Sequence, residues 1–227
     1  PSERQSFHLS YATSFNTAAD TYSYSASSPK DADPEKSANF ELGAKLDSAD
    51  RRVSTRLALF RAVKFNERNT DPLISAGVLS KKRHATGFEM EAAGRITPRW
   101  EVYGSYTWIW DAEIDKPADG QELYGQRPSL IPKHQGSLWS TYAVHSKLRV
   151  GAGLNYRSKQ NPEGSRQTYA SGFATIDAMA EYSFDDHTSL KLNVTNLANK
   201  LYADSLYRGF YVPGSARAVQ LTLKTRF

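Results

Sequence analysis

The 227-residue chain contains no cysteine and only 2 methionines. It also has no apolar run near the roughly 18 residues a membrane-crossing helix requires. Without cysteine there is no disulfide framework and no thiolate chemistry, a composition compatible with an oxidising compartment. Without an apolar run, a helical membrane protein is excluded. The 29 Lys and Arg mix with 24 Asp and Glu along the chain. The net charge of +5 therefore never concentrates into a tract suited to nucleic acid. His8, His84, His134, His145 and His187 form no HExxH or other close pairing, so no metal site is expected. No serine sits in a nucleophile elbow, and no helix follows Gly151-Ala152-Gly153 to make a phosphate loop. Neither a catalytic residue nor a cofactor is expected.

What the chain has is alternation. From Arg217 to Phe227 one set of side chains reads Arg217, Val219, Leu221, Leu223, Thr225, Phe227, and the interleaved set reads Ala218, Gln220, Thr222, Lys224, Arg226. Strand side chains point to opposite faces with period two, so one face is mostly apolar and the other polar or basic. Leu148, Val150, Ala152, Leu154 and Tyr156 repeat the pattern, as do Leu190, Leu192 and Val194. Trp100, Val102, Gly104, Tyr106, Trp108 and Trp110 share a face, with the tryptophans placed to form two interfacial girdles. An alternative sets Trp110 in a ligand vestibule. About ten strands are predicted, near 5–15, 35–46, 51–65, 83–96, 99–111, 134–144, 147–158, 171–183, 188–196 and 215–227.

The connections alternate without exception between short and long. Short ones carry turn chemistry, as in Asp47-Ser48-Ala49-Asp50, Thr97-Pro98, Val144-His145-Ser146 and Asp185-Asp186-His187. Long ones span 16–34, 66–82, 112–133, 159–170 and 197–214. This is the pattern of an all-β, antiparallel transmembrane β-barrel wall, with short periplasmic turns and longer extracellular loops. It predicts that the last strand descends from an outer loop and leaves the C-terminus on the periplasmic side. On the lipid face it places Leu148, Val150, Leu154, Leu190, Leu192, Val194, Val219, Leu221 and Leu223. Glu89 and Glu91 share a strand face and are read as polar lining of the lumen.

Four stretches resemble the C-terminal half of TonB-dependent ferric-siderophore receptors of the bacterial outer membrane. They are Gly87-Phe88-Glu89-Met90-Glu91; Ile131-Pro132-Lys133-His134 with Leu138-Trp139; Asn193-Val194-Thr195-Asn196-Leu197-Ala198-Asn199-Lys200-Leu201-Tyr202; and Pro213-Gly214-Ser215-Ala216-Arg217 leading to Phe227. Tyr11-Ala12-Thr13-Ser14-Phe15-Asn16 is similar to a receptor strand top, and Arg208-Gly209-Phe210-Tyr211-Val212-Pro213 resembles the catecholate type. The resemblance implies a barrel of about 22 strands closed by an N-terminal plug. Residues 1–227 would form its C-terminal section, without the plug, the TonB-contacting box and the first strands. The opening Pro1-Ser2-Glu3-Arg4 has neither an initiator methionine nor a basic-then-apolar leader, which also suggests a section of a longer protein.

The implied function is uptake of a ferric siderophore energised through TonB, with iron arriving only as the chelate. The implied partners are the siderophore, TonB and outer-membrane lipid, and no bond chemistry. In the long loops, arginines among aromatics suit an anionic aromatic chelate, and Tyr124, Arg127, Tyr207, Arg208 and Tyr211 are the expected ligand-binding residues. Tyr22, Tyr24 and Phe210 share those loops. The competing reading is an independent small outer-membrane hydrolase using Asp111, Asp115 and Asp119, whose histidine would have to come from outside that loop.

Overall fold

The fold is that of a computed structural model whose description covers residues 3–16, 33–68, 78–118, 123–162, 168–207 and 210–226. In chain order the strands are β1 (Gln5–Asn16), β2 (Glu35–Asp47), β3 (Val53–Arg68), β4 (Val78–Thr97), β5 (Trp100–Pro117), β6 (His134–His145), β7 (Leu148–Arg157), β8 (Phe173–Ser183), β9 (Thr188–Thr195), β10 (Ala203–Tyr207), β11 (Phe210–Pro213) and β12 (Ala218–Thr225). Ten of them form one sheet in the order β1 to β9 and then β12, while β10 and β11 pair separately. Every neighbouring pair is antiparallel. All the long connections therefore lie at one end of the sheet and all the short turns at the other. The sheet is open, because β1 and β12 are not neighbours.

Register carries the alternation across the strands. Leu192 lies between Ala180 of β8 and Leu221 of β12, and Leu148 lies opposite Tyr182. The nine residues expected on the lipid side fall on one face. Among them Val219, Leu221 and Leu223 are 66%, 64% and 64% exposed, a row that water does not favour and lipid does. The opposite face carries Glu89 and Glu91, with Arg56 at 3.7 Å from Glu91, and Glu101 held by Arg95 at 2.8 Å and Arg149 at 3.2 Å. Its aromatic rings lie over cross-strand glycines: His8 opposite Gly43, Phe60 opposite Gly87, Trp139 opposite Gly153. A Cβ at Gly153 would sit 2.5 Å from the Trp139 ring.

Three expectations are corrected. First, β4 and β5 run well past the predicted 83–96 and 99–111, shortening both adjoining loops. The cause is a β-bulge: Gly87 pairs with Ile109 but Thr86 with Asp111, leaving Trp110 as the extra residue. Trp110 thus stays on the apolar side, its ring 5.4 Å from that of Trp108, and not in a vestibule. Beyond the bulge the parity reverses, so Asp111 shares a face with Thr86 while Ile114 turns the other way and becomes fully buried. Ile114 also exchanges backbone hydrogen bonds with Gly125 and Gln126, which folds the following loop over it. Second, the predicted loop 197–214 contains the β10–β11 hairpin, whose strands are too short for period two to show in sequence. Third, the last strand begins at Ala218 rather than 215, because the amide of Arg217 donates to Asn199 Oδ1 at 2.9 Å.

Candidate functional site

The long-loop end of the sheet gathers most of the residues expected to bind ligand. In the β5–β6 connection, Arg127 donates from Nε to the Ile131 carbonyl (3.0 Å) and from Nη2 to those of Ile109 (2.8 Å) and Pro132 (3.2 Å). Burial pulls its pKa down from the usual arginine value, with Asp111 acting in the opposite sense. The guanidinium is thus committed to the backbone, and it pins the loop as a charged staple. Tyr124 is 71% exposed and precedes Gly125, whose φ of 74° suits glycine. This loop joins the next one where Leu130 N donates to Asn161 O (3.0 Å) and Ser129 Oγ to Pro162 O (3.2 Å).

The β9–β12 connection is built on Asn196. Its amide accepts from Lys200 N at 2.8 Å and donates to the carbonyls of Lys200 and Ser215, both at 2.9 Å. Its own backbone N–H reaches Asp177 Oδ1 at 2.8 Å. Asn196 and Asn199 have φ of 48° and 49°, the left-handed region that asparagine tolerates. That is the physical content of the Asn193–Tyr202 motif: it turns the chain off β9 and closes the base of the loop. The β10–β11 hairpin then returns over the rim, with Tyr207 and Phe210 stacked at 4.9 Å.

Between this hairpin and the 168–173 segment lies an open cleft of about 720 Å³. Its walls include Tyr169, Phe173, Tyr202, Leu206, Tyr207, Phe210 and Tyr211, with Lys200 among them. Register puts Phe173 opposite Arg157, on the polar face. Tyr207 and Tyr211 therefore meet in one place, and Tyr124 stands on a neighbouring loop. Arg208 lies outside the described residues, as do Tyr22, Tyr24 and Asp119. Sequence reasoning missed Phe173, Tyr202 and Arg157. Parity could have turned Arg157 and Phe173 to one face, but nothing in the sequence announced the hairpin that meets them.

The histidine that a hydrolase would need does reach Asp111 and Asp115, but from β4 and in the wrong arrangement. His84 Nδ1 lies 2.8 Å from Asp115 and Nε2 3.1 Å from Asp111, so both nitrogens face carboxylates and neither is free to activate water. Arg61 and Thr86 complete a charged ladder on the outer side. Among the described residues no cluster of His, Asp and Glu is arranged to hold a metal ion.

The family model for the TonB dependent receptor-like β-barrel matches residues 1–197. The chain is 34% identical to the probable TonB-dependent receptor BfrD of Bordetella pertussis over 86% of its own length and 27% of that protein. It is 32% identical to the probable TonB-dependent siderophore receptor PiuA of Acinetobacter baumannii over 93% of its length and 30% of PiuA. The crystal structure of PiuA superposes with a TM-score of 0.85 at 29% identity, covering 99% of this chain and 34% of that one. The closed form of the ferric-catecholate import receptor Fiu from E. coli K12 gives 0.83 at 27% identity, with 100% and 33% covered. The chain thus spans less than a third of the length of the two sequence relatives. A family model over most of the chain and relatives above 30% identity along most of its length agree: the chain belongs to the TonB-dependent receptor β-barrel family.

Proposed function

We propose that residues 1–227 form the C-terminal section of the barrel wall of an outer-membrane receptor that takes up a ferric siderophore, energised through TonB. The apolar face meets lipid and the polar face lines a lumen filled by a plug. The long-loop end faces the outside, which leaves the C-terminus on the periplasmic side. Iron enters as its chelate, and the barrel performs no bond chemistry.

One observation carries this reading. A two-faced antiparallel wall presents all its long loops at one end, and there gathers an aromatic, lysine-bearing cleft. Within it, Tyr207 and Tyr211 offer ring faces and hydroxyl donors to the chelate, with Tyr124 exposed on a neighbouring loop. Arg208 adds charge, while Arg127 acts indirectly by fixing the loop that carries Tyr124.

The test is uptake of radiolabelled ferric siderophores by a receptor-deficient strain carrying the full-length protein, with and without TonB. TonB-dependent accumulation of at least one chelate is expected, and failure across catecholate, hydroxamate and mixed chelates would overturn the reading. An epitope after Phe227 should be reachable only from the periplasm.

A further inference from the structure

We propose that a basic cleft on the polar face, at its short-turn end, is the seat of an acidic segment of the plug. The proposal rests on the receptor reading, which sets a plug against this face, and adds to it a contact, its charge and its place.

The cleft has a volume of about 780 Å³, and its charged lining is Arg52, Arg95, Glu101, Arg149, Glu181 and Lys191. Cations thus outnumber carboxylates, four to two. Register explains the crowding. Arg95 of β4 lies opposite Glu101 of β5, while Arg149, Glu181 and Lys191 follow one another across β7, β8 and β9. Thr222 stands opposite Lys191, and Lys224, two residues on, extends the basic face along β12. Between the charges the floor stays low, because the Trp139 ring lies on Gly153 and beside Gly151 and leaves a hollow rather than a ridge.

The carboxylates present do not balance the cations. Glu101 alone holds two guanidiniums, Arg95 at 2.8 Å and Arg149 at 3.2 Å, and both arginine side chains stay about half exposed, at 54% and 47%. Arg52 draws on Asp50 from the β2–β3 turn at 3.4 Å. With Asp50 counted, the four cations still meet only three carboxylates, before Lys224 is added. The bond to Glu101 takes Nη1 of Arg149, so its five-donor fork retains donors for a second carboxylate. Water screens the excess charge while the face is wet. Covering the face with protein removes that screening, and a desolvated cation is then costly unless the covering body brings a carboxylate to it. A basic segment would set like charges together, and an apolar one would leave the guanidiniums without a partner.

The experiment uses the full-length receptor with p-benzoylphenylalanine in place of Thr141, which lines the cleft opposite Glu101. Irradiation should attach a plug peptide with an Asp or Glu beside the adduct, read by mass spectrometry of the digest. Hydrogen exchange of that peptide in the unlabelled receptor then gives the sign of its charge. Arg149→Gln and Lys191→Gln each remove a cation and should speed its exchange about threefold or more. Glu181→Gln removes a competing carboxylate and should slow exchange by a similar factor. Loss of pairing within the wall alone would speed exchange in all three variants, and a basic segment would reverse every sign. Either pattern, or attachment only to lipid or to wall peptides, overturns the proposal. Heat-modifiable migration shows which variants are folded, and Lys191→Gln against Glu181→Gln decides the sign if Arg149→Gln is not. Siderophore uptake by the unaltered receptor is measured in parallel. Absent uptake with these signs intact sinks the siderophore reading, and normal uptake without them sinks the seat.

Discussion

Replacing Leu192 by arginine tests the assignment of the two faces. Leu192 is the middle of the outward row Leu190, Leu192, Val194 on β9 and is flanked by Ala180 and Leu221 on the same face. An apolar band about 25 Å tall, crossed by strands tilted about 35–45°, puts this position near its centre rather than at an interface. The guanidinium stem would have to snorkel past at least one further apolar row to reach a headgroup. The cost expected for arginine at the midplane is about 2–4 kcal/mol, roughly a 30- to 1,000-fold loss in the folding equilibrium. The control is Asn193→Arg, one residue along and on the polar face beside Lys191. There the cation meets water and Glu181, the residue opposite Lys191 on β8, so the cost should stay near or below about 1 kcal/mol. Urea titrations of the full-length receptor refolded into lipid vesicles, followed by tryptophan fluorescence, read both. Equal midpoint shifts, or a larger one for Asn193→Arg, would refute the face assignment.

Gly153→Val should cost about 1–3 kcal/mol in the same titration, because its side chain collides with the Trp139 ring lying over it. The double variant with Trp139→Leu should recover most of that loss. Arg127→Ala removes three hydrogen bonds from carbonyls partly shielded from water and should cost about 1–3 kcal/mol. It should also open residues 123–132 to limited proteolysis while the strands stay protected. In the β8–β9 turn, Asp185 accepts from the amides of His187 and Thr188, both at 2.8 Å, and these bonds hold its carboxyl below the usual carboxylate range. A depressed folded pKa means that this contribution is present above the ordinary aspartate value of about 4 and is lost as pH falls through the lower folded one. Amide exchange at His187 and Thr188 should accordingly stay slow, relative to intrinsic rates, at pH 7 and 5 and quicken only in stronger acid. Asp185→Ala should be fast at every pH.

Most of the wall was legible because each strand carries its own evidence. Leu190, Leu192 and Val194 announce a face whatever their neighbours do, and Asp185-Asp186-His187 announces a turn. The long–short rhythm of the connections then distinguished a barrel wall from a soluble sandwich. What failed to show was set by contacts between distant segments. The bulge at Trp110 depends on how Thr86 and Gly87 register against β5, and it decides where Asp111 and Ile114 point. Arg127 read as a ligand-facing cation because sequence gives its charge but not the carbonyls of Ile109, Ile131 and Pro132 waiting for it. Tyr207 and Tyr211 were found as loop aromatics, whereas the cleft that unites them needed Arg157 and Phe173, some 46 and 38 residues upstream of Ala203 and Tyr211 respectively. Asn196 stood inside a recognised motif, yet its part in closing the loop follows only from its four hydrogen bonds.

The rings laid over Gly43, Gly87 and Gly153 give the inner wall low relief. A tryptophan standing off the sheet would project its full length into the bore. Trp139, lying on Gly153 and beside Gly151, raises the surface there by little more than a van der Waals layer, about 3.5–4 Å. His8 and Phe60 do the same at two other places along the wall. The glycines weaken their strands locally, and the rings offset that by covering the bare backbone. At these three places bulk has been converted into area. Relief on this face is therefore left to its charged pairs, Arg56 with Glu91 and Arg95 and Arg149 with Glu101, and not to its rings.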